Sequence, residues 1–178
     1  MFIDDVERVL ISEEEIDKRC KEIGAQISKD YSGKTPVVLG LLKGSIPFMA
    51  ELIKHLSIDC EIEFMAVSSY SGTESNGDVK IVKDLDRSII GEDVIIVEDI
   101  VDTGKTLEKV KELLYSKGAN SVTVASLLDK PDRRIIDIEA EYVGFVIPNE
   151  FVVGFGLDFN QKYRNLPFVG VLKEECYK

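Results

Sequence analysis

Apolar positions along the chain repeat with two different periods, and the switches between them predict the order of its elements. Ile16, Cys20, Ile23 and Ile27 recur at the spacing of one helix face, up to about Tyr31. Ser12, followed three residues later by Glu15, reads as a capping box at the start of this helix, and Ser32-Gly33-Lys34 breaks it. The short apolar run 36–42 suits a strand buried on both faces. Lys43-Gly44-Ser45 then leads into a helical stretch at 46–55, followed by a second strand at 59–67. Residues 68–78 are rich in Ser, Gly, Thr and Asn, the composition of a lid or a surface connection. Residues 79–82 and 89–90 bracket Lys83-Asp84-Leu85-Asp86 as a hairpin-like excursion. A strand at 93–97, a helix from about Gly104 to Lys117 closed by Gly118, and strands at 121–128 and 141–147 complete the pattern. Strands alternating with helices predict an α/β fold with a mainly parallel twisted sheet flanked by helices.

The 178 residues are enough for one domain with a sizeable core. No apolar stretch approaches the roughly 18 residues needed to cross a membrane, and Met1-Phe2-Ile3-Asp4-Asp5 lacks the basic start of a signal peptide. Three scattered cysteines, Cys20, Cys60 and Cys176, show no metal-ligand spacing and point to reduced thiols in a cytoplasm. A net charge of −11 argues against non-specific nucleic-acid binding. It also means that any bound anion needs local donors, a few placed basic residues and a divalent cation. His55, the single histidine, falls at a predicted helix end, where the dipole favours a cation, and reads as structural.

The chemistry concentrates between Val94 and Leu107. An apolar strand ends in Glu98-Asp99, then turns through Asp102-Thr103-Gly104-Lys105-Thr106 into a helix. Such a turn presents backbone N–H groups and small hydroxyls at a helix N-terminus, which favours a phosphate. The two carboxylates can hold sugar hydroxyls or a metal-bound ligand, so the segment suits a phosphorylated ribose. Lys43, Glu98, Asp99 and Lys130 all fall at or just after predicted strand ends, where ligands sit in parallel sheets.

The run from Glu98 to Thr106 resembles the phosphoribosyl-pyrophosphate-binding signature of type I phosphoribosyltransferases. Leu42-Lys43-Gly44, Ser68-Ser69-Tyr70, Leu128-Asp129-Lys130 and the stretch from Phe151 to Asp158 extend the resemblance over nearly the whole chain, toward the hypoxanthine-guanine branch. The resemblance implies one domain over residues 1–178, with a core at about 30–147 and a small hood from the N-terminal segment and about 148–178. It implies a pentosyl glycosyltransferase of purine salvage that moves the phosphoribosyl group from phosphoribosyl pyrophosphate to hypoxanthine or guanine, giving IMP or GMP and pyrophosphate. Asp102, Thr103, Gly104, Lys105 and Thr106 would wrap the 5′-phosphate, and Glu98 and Asp99 would meet the ribose hydroxyls and Mg²⁺. Lys43, preceded by a cis peptide, would bind pyrophosphate with Gly44 and Arg164. Lys130 would contact the purine 6-oxo group, Phe151 would stack on the ring, and Val152, Leu157 and Asp158 would complete the base site. Asp158 would also support a second Mg²⁺, Asp102 would be the general base, and Ser68, Ser69 and Tyr70 would belong to a lid. A homodimer or homotetramer is implied as well. Xanthine or a broader range of 6-oxopurines is the alternative substrate reading. A phosphoribosyl-pyrophosphate-binding regulator is the non-enzymatic one, disfavoured by the acidic chain and by Asp102.

Overall fold

Ser12 caps the first helix as its spacing requires: its hydroxyl accepts from the Glu15 amide at 3.2 Å, and the Glu15 carboxylate accepts from the Ser12 amide at 2.8 Å. The computed structural model describes residues 2–69 and 79–178. Strand β1 (Val6–Ile11) precedes the capped helix α1 (Glu13–Asp30), and β2 (Val37–Leu41) leads into α2 (Ile46–Ile53). Next come β3 (Glu61–Ser69), β4 (Val79–Lys83), β5 (Asp93–Val101), α3 (Lys105–Ser116), β6 (Ser121–Asp129) and β7 (Tyr142–Val146). The two-residue strand β8 (Val152–Val153) and β9 (Val169–Leu172) close the chain.

The large sheet has the order β4-β3-β2-β5-β6-β7, parallel from β3 to β7 with β4 antiparallel at one edge. Period-two alternation sorts its side chains to two cores. Val38, Ile95 and Val97 pack under α1 and α2 with Ile16, Cys20, Ile23, Phe48 and Leu52. Val37, Leu39, Leu41, Val94 and Ile96 face the other way, toward Leu107, Val110 and Leu114 of α3. Both faces are covered, which is why the central strands read as unbroken apolar runs. At the base of β5, the Asp93 carboxylate accepts from Asn120, Ser121 and Lys34, and these bonds hold its pKa down at about 2.

The hairpin differs from expectation. The partner of β4 is β3, and Ile89-Ile90 forms a turn in which Ile89 is buried beneath α3 while Ile90 is exposed. A pair of apolar residues looks the same whether it lies in a strand or plugs a core from a turn. Strand β5 also runs on to Val101, so Glu98 and Asp99 lie within the strand and not beyond its end. A second, three-stranded antiparallel sheet, β1-β9-β8, joins the N-terminal segment to residues 152–172. Arg8 of β1 reaches both carboxylate oxygens of Glu150 at 2.6 Å, just ahead of β8. No helix among the described residues is long and apolar enough to cross a membrane.

Candidate active site

After β2 the chain crosses through α2 to β3, and after β5 it crosses through α3 to β6 on the opposite side. The connections therefore diverge between two adjacent strands, Gly40 lying opposite Val97, and a crevice opens beyond their carboxyl ends. Alternation along β5 sends its two carboxylates to different sides of that crevice. Glu98 shares the face of Val94 and Ile96 and lines a cavity of about 130 Å³ with Ile100, Asp102, Thr103, Gly104 and Thr106. Asp99 shares the face of Ile95 and Val97 and lies against Gly44, where an added Cβ would come within 1.7 Å of Asp99 Oδ2.

The cavity is walled by the turn into α3. Among the described residues, the amides of residues 103–107 donate to no backbone carbonyl, the ordinary state of a helix start and the basis of anion sites there. Gly104 permits the turn, at φ +85, and a Cβ there would lie 2.6 Å from Ile138 Cγ2. Behind the turn, Ile135 and Ile136 donate to the Thr103 carbonyl, and Arg134 Nε donates to the Asp102 carbonyl at 3.0 Å. Arg134 also bonds the Asp129 carboxylate and the Ile138 carbonyl, so it braces the turn against β6. Thr103 is half-buried, whereas Lys105 and Thr106 stand exposed at the helix start. The Asp102 carboxylate accepts from Arg133 Nε at 2.7 Å, with both side chains well exposed.

Burial raises the pKa of Glu98 well above the ordinary carboxylate range, and the neighbouring Asp99 charge adds to the rise. Burial also raises Asp99, opposed by the Ile100 amide at 2.8 Å and by the charge of Arg164. Their oxygens are hard donors on two sides of the crevice, of the kind that suits a hard cation.

On the β2 side, the Leu42–Lys43 peptide is cis. The exposed Lys43 ammonium has no hydrogen bond or ion pair among the described residues. Gly44 packs against the loop after β8: an added Cβ on Gly156, at φ +102, would lie 1.9 Å from the Gly44 carbonyl oxygen. Arg164 NH1 donates to the Gly156 carbonyl at 2.7 Å, and its NH2 pairs with Asp158 Oδ1 at 2.9 Å. The lysine loop, Asp99, Arg164 and Asp158 thus form one continuous wall.

On the β6 side, Lys130 follows the strand end and is buried, which pushes its ammonium pKa down, with the Asp102 charge opposing. Its Nζ donates to the Glu150 carbonyl at 2.6 Å. Phe151, next in the chain, keeps 38% of its surface exposed although Tyr177 stacks on it and Phe159 meets it edge-on. Leu172 donates to the Phe151 carbonyl, so in the antiparallel alternation Val152, opposite Val171, points its N–H and C=O away from β9. Strand β8 is the sheet edge, and those two groups are open beside Lys130 and Phe151.

The crevice therefore gathers Lys43, Gly44, Glu98, Asp99, residues 102–106, Lys130, Phe151, Val152, Asp158 and Arg164. Leu157 is placed differently: its side chain is in the core and its N–H and C=O both pair with Gly154. Glu98, Asp99 and Asp158 do not converge as a single metal-binding trio. Among the described residues, the only His/Cys/Asp/Glu trio with donor atoms within 4.8 Å is Asp17 of α1, Glu51 of α2 and His55 just after α2, away from the crevice residues named above. Ser68 lies in β3 and is exposed, as does the backbone of Ser69, while Tyr70 and the rest of the expected lid fall outside the described residues.

A family model for the phosphoribosyl transferase domain matches residues 11–160. The chain belongs to the phosphoribosyltransferase family. It is 57% identical over 178 residues to a hypoxanthine-guanine phosphoribosyltransferase of Streptococcus agalactiae, covering 99% of each chain. A Lactococcus lactis protein of the same name is 58% identical over 173 residues, covering 97% of this chain and 94% of its own. The crystal structure of a hypoxanthine phosphoribosyltransferase from Staphylococcus aureus superposes with a TM-score of 0.96 at 54% identity, covering 99% of this chain and 97% of the other.

Within this phosphoribosyltransferase, four site neighbours are not singled out by the sequence reading. Ile100 falls inside the signature run but has no role assigned there, yet it lines the cavity. Arg133 and Arg134 read as surface charges, but one pairs with Asp102 and the other braces the turn. Tyr177 belongs to a terminal segment without periodicity, and only tertiary packing brings it to Phe151.

Proposed function

We propose that this phosphoribosyltransferase transfers the 5-phosphoribosyl group of phosphoribosyl pyrophosphate to hypoxanthine or guanine, forming IMP or GMP and pyrophosphate in purine salvage. The observation that carries the proposal is the convergence, beyond β2 and β5, of a helix-start anion cradle, a lysine-glycine loop and an open strand edge beside a buried ammonium. These suit the 5′-phosphate, the pyrophosphate and a 6-oxopurine respectively.

The free amides of residues 103–107 and the Thr103 and Thr106 hydroxyls hold the 5′-phosphate. Lys43, Gly44 and Arg164 receive the pyrophosphate, whose charge grows as it leaves. Mg²⁺, with two ions per site, fits Glu98, Asp99 and Asp158 because their donors are hard carboxylate oxygens set around the crevice. When bound, the cation neutralises the leaving group. Asp102 takes the imidazole proton of the purine, so that the ring nitrogen attacks C1 of the ribose with its lone pair free. Phe151 stacks on the base, Val152 meets its edge with one donor and one acceptor, and Lys130 donates to the 6-oxo oxygen. A 6-amino group offers no such acceptor, which disfavours adenine.

We take the chain as one domain whose core begins with α1, earlier than the expected boundary near residue 30, and runs to about residue 147, with the small sheet as a hood over the base site. Its three free cysteines accord with a reducing cytoplasm. A homodimer or homotetramer rests on the resemblance alone.

Lys130→Met tests the base assignment. Loss of a charged donor to the 6-oxo group raises KM for hypoxanthine and guanine by roughly 10- to 100-fold, and leaves KM for phosphoribosyl pyrophosphate close to wild type. Steady-state titration of each substrate measures both. An unchanged base KM would remove Lys130 from the site.

A further inference from the structure

We infer that Tyr177, one residue from the C-terminus of the chain, is a positioning residue of the base site that acts through Phe151. The inference rests on the reading of Phe151 as the ring on which the purine stacks.

The Tyr177 ring lies 4.6 Å from that of Phe151, centroid to centroid, with 19° between the planes. Phe159 meets Phe151 at 5.6 Å and 88°. A phenyl ring has two faces, and here one is filled by a near-parallel aromatic while a perpendicular ring limits sliding. Phe151 nevertheless keeps 38% of its surface exposed, so room remains for a ligand against it. Tyr177 itself is anchored. It packs with Phe159, Leu166 and Cys176 on a small cluster formed by Val153, Tyr163 and Leu172. A single 3-10 turn, Glu174–Cys176, delivers it there directly from β9, and the Tyr177 amide donates to the Glu174 carbonyl at 3.2 Å. Leu172 of the same strand donates to the Phe151 carbonyl at 2.9 Å, so the backbones of both aromatic residues are tied to β9.

The physical consequence concerns orientation. Phe151 is two χ angles from its backbone, and its neighbours Glu150 and Val152 carry the groups that fix Lys130 and the base edge. Free to turn, the ring would present its face to an incoming purine only part of the time. Held against Tyr177, it keeps one orientation beside Lys130 and the Val152 backbone. Aromatic pairs prefer such offset stacks over looser contacts. Tyr177 therefore lowers the ordering cost of base binding and has no direct bearing on the phosphoribosyl pyrophosphate side.

Tyr177→Leu keeps an apolar side chain but removes the flat ring, and Tyr177→Phe keeps the ring but removes the hydroxyl. Tyr177→Leu raises KM for hypoxanthine and guanine by roughly three- to tenfold, leaves KM for phosphoribosyl pyrophosphate at its wild-type value, and Tyr177→Phe restores the base KM. A merely structural role would raise both KM values together or lower kcat alone, and either result overturns the inference. A lower base KM in Tyr177→Leu also overturns it, because that would mean the Tyr177 ring competes with the base. Phe151→Leu separates the two readings. If it raises the base KM while Tyr177→Leu does not, only Tyr177 loses its role; if it leaves the base KM unchanged, the stacking role of Phe151 itself falls.

Discussion

Asp102→Asn lowers kcat by about 10²- to 10⁴-fold, the range typical for loss of a positioned general base, while KM for phosphoribosyl pyrophosphate stays close to wild type. The substitution preserves shape. The Asp102 carbonyl that accepts from Arg134 is main chain and survives, and an Asn Oδ1 can still accept from Arg133. The amides of residues 103–107 are untouched, so the phosphate cradle stands. What disappears is a carboxylate able to take a proton beside the base. Rapid-quench or steady-state kinetics with saturating substrates measures the effect. A variant at wild-type rate would mean that the purine loses its proton to water or another group, and Asp102 would then be only part of the cradle wall.

Gly156→Ala causes the second large loss, through geometry and without changing any charge. The added Cβ would fall 1.9 Å from the Gly44 carbonyl oxygen, so one of two backbones must move. Gly156 also sits at φ +102, where an alanine is strained whatever the space. The loop carrying Lys43 is the one displaced, and misplacing a substrate-binding group by about 1 Å can cost on the order of 10²-fold in rate. The expected result is a fall of about that size in kcat/KM for phosphoribosyl pyrophosphate, with a stability loss of about 1–3 kcal/mol from the strained backbone. Gly33→Ala is the control. At φ +78 it carries backbone strain, but an added Cβ meets nothing within 4 Å. It therefore loses stability by about 1–2 kcal/mol and keeps its activity. Equal activity in Gly156→Ala and wild type would show that the Gly44 contact does not position the lysine loop.

The central sheet and the phosphate turn were legible in the sequence because local signals carried them. Residues 94–97 are uniformly apolar since both sheet faces are covered, and Asp102-Thr103-Gly104 announces a helix start by its own chemistry. Adjacent carboxylates at 98 and 99 were equally visible, but their separation to two sides of the crevice follows from the strand continuing to Val101. That continuation depends on pairing with β6, opposite Leu128 and Asp129, a contact that no local pattern encodes. The same limit explains the misplaced hairpin, where β4 pairs back across to β3. Lys43 and Lys130 are marked only weakly, by their places at strand ends, and Phe151 and Arg164 are anonymous by composition, so resemblance gives all four their roles. Arg133, Arg134 and Tyr177 lie outside its motifs and meet the site only in three dimensions, through Asp102, the turn and Phe151.

The most direct test mixes the protein with Mg²⁺ and phosphoribosyl pyrophosphate and with hypoxanthine, guanine, xanthine or adenine in turn, and follows nucleotide and pyrophosphate together. The expected result is IMP from hypoxanthine and GMP from guanine, each matched by one pyrophosphate, no AMP from adenine, and no turnover when the cation is chelated. Failure to form a nucleotide from either hypoxanthine or guanine would contradict the assignment of the crevice as a 6-oxopurine phosphoribosyltransferase site.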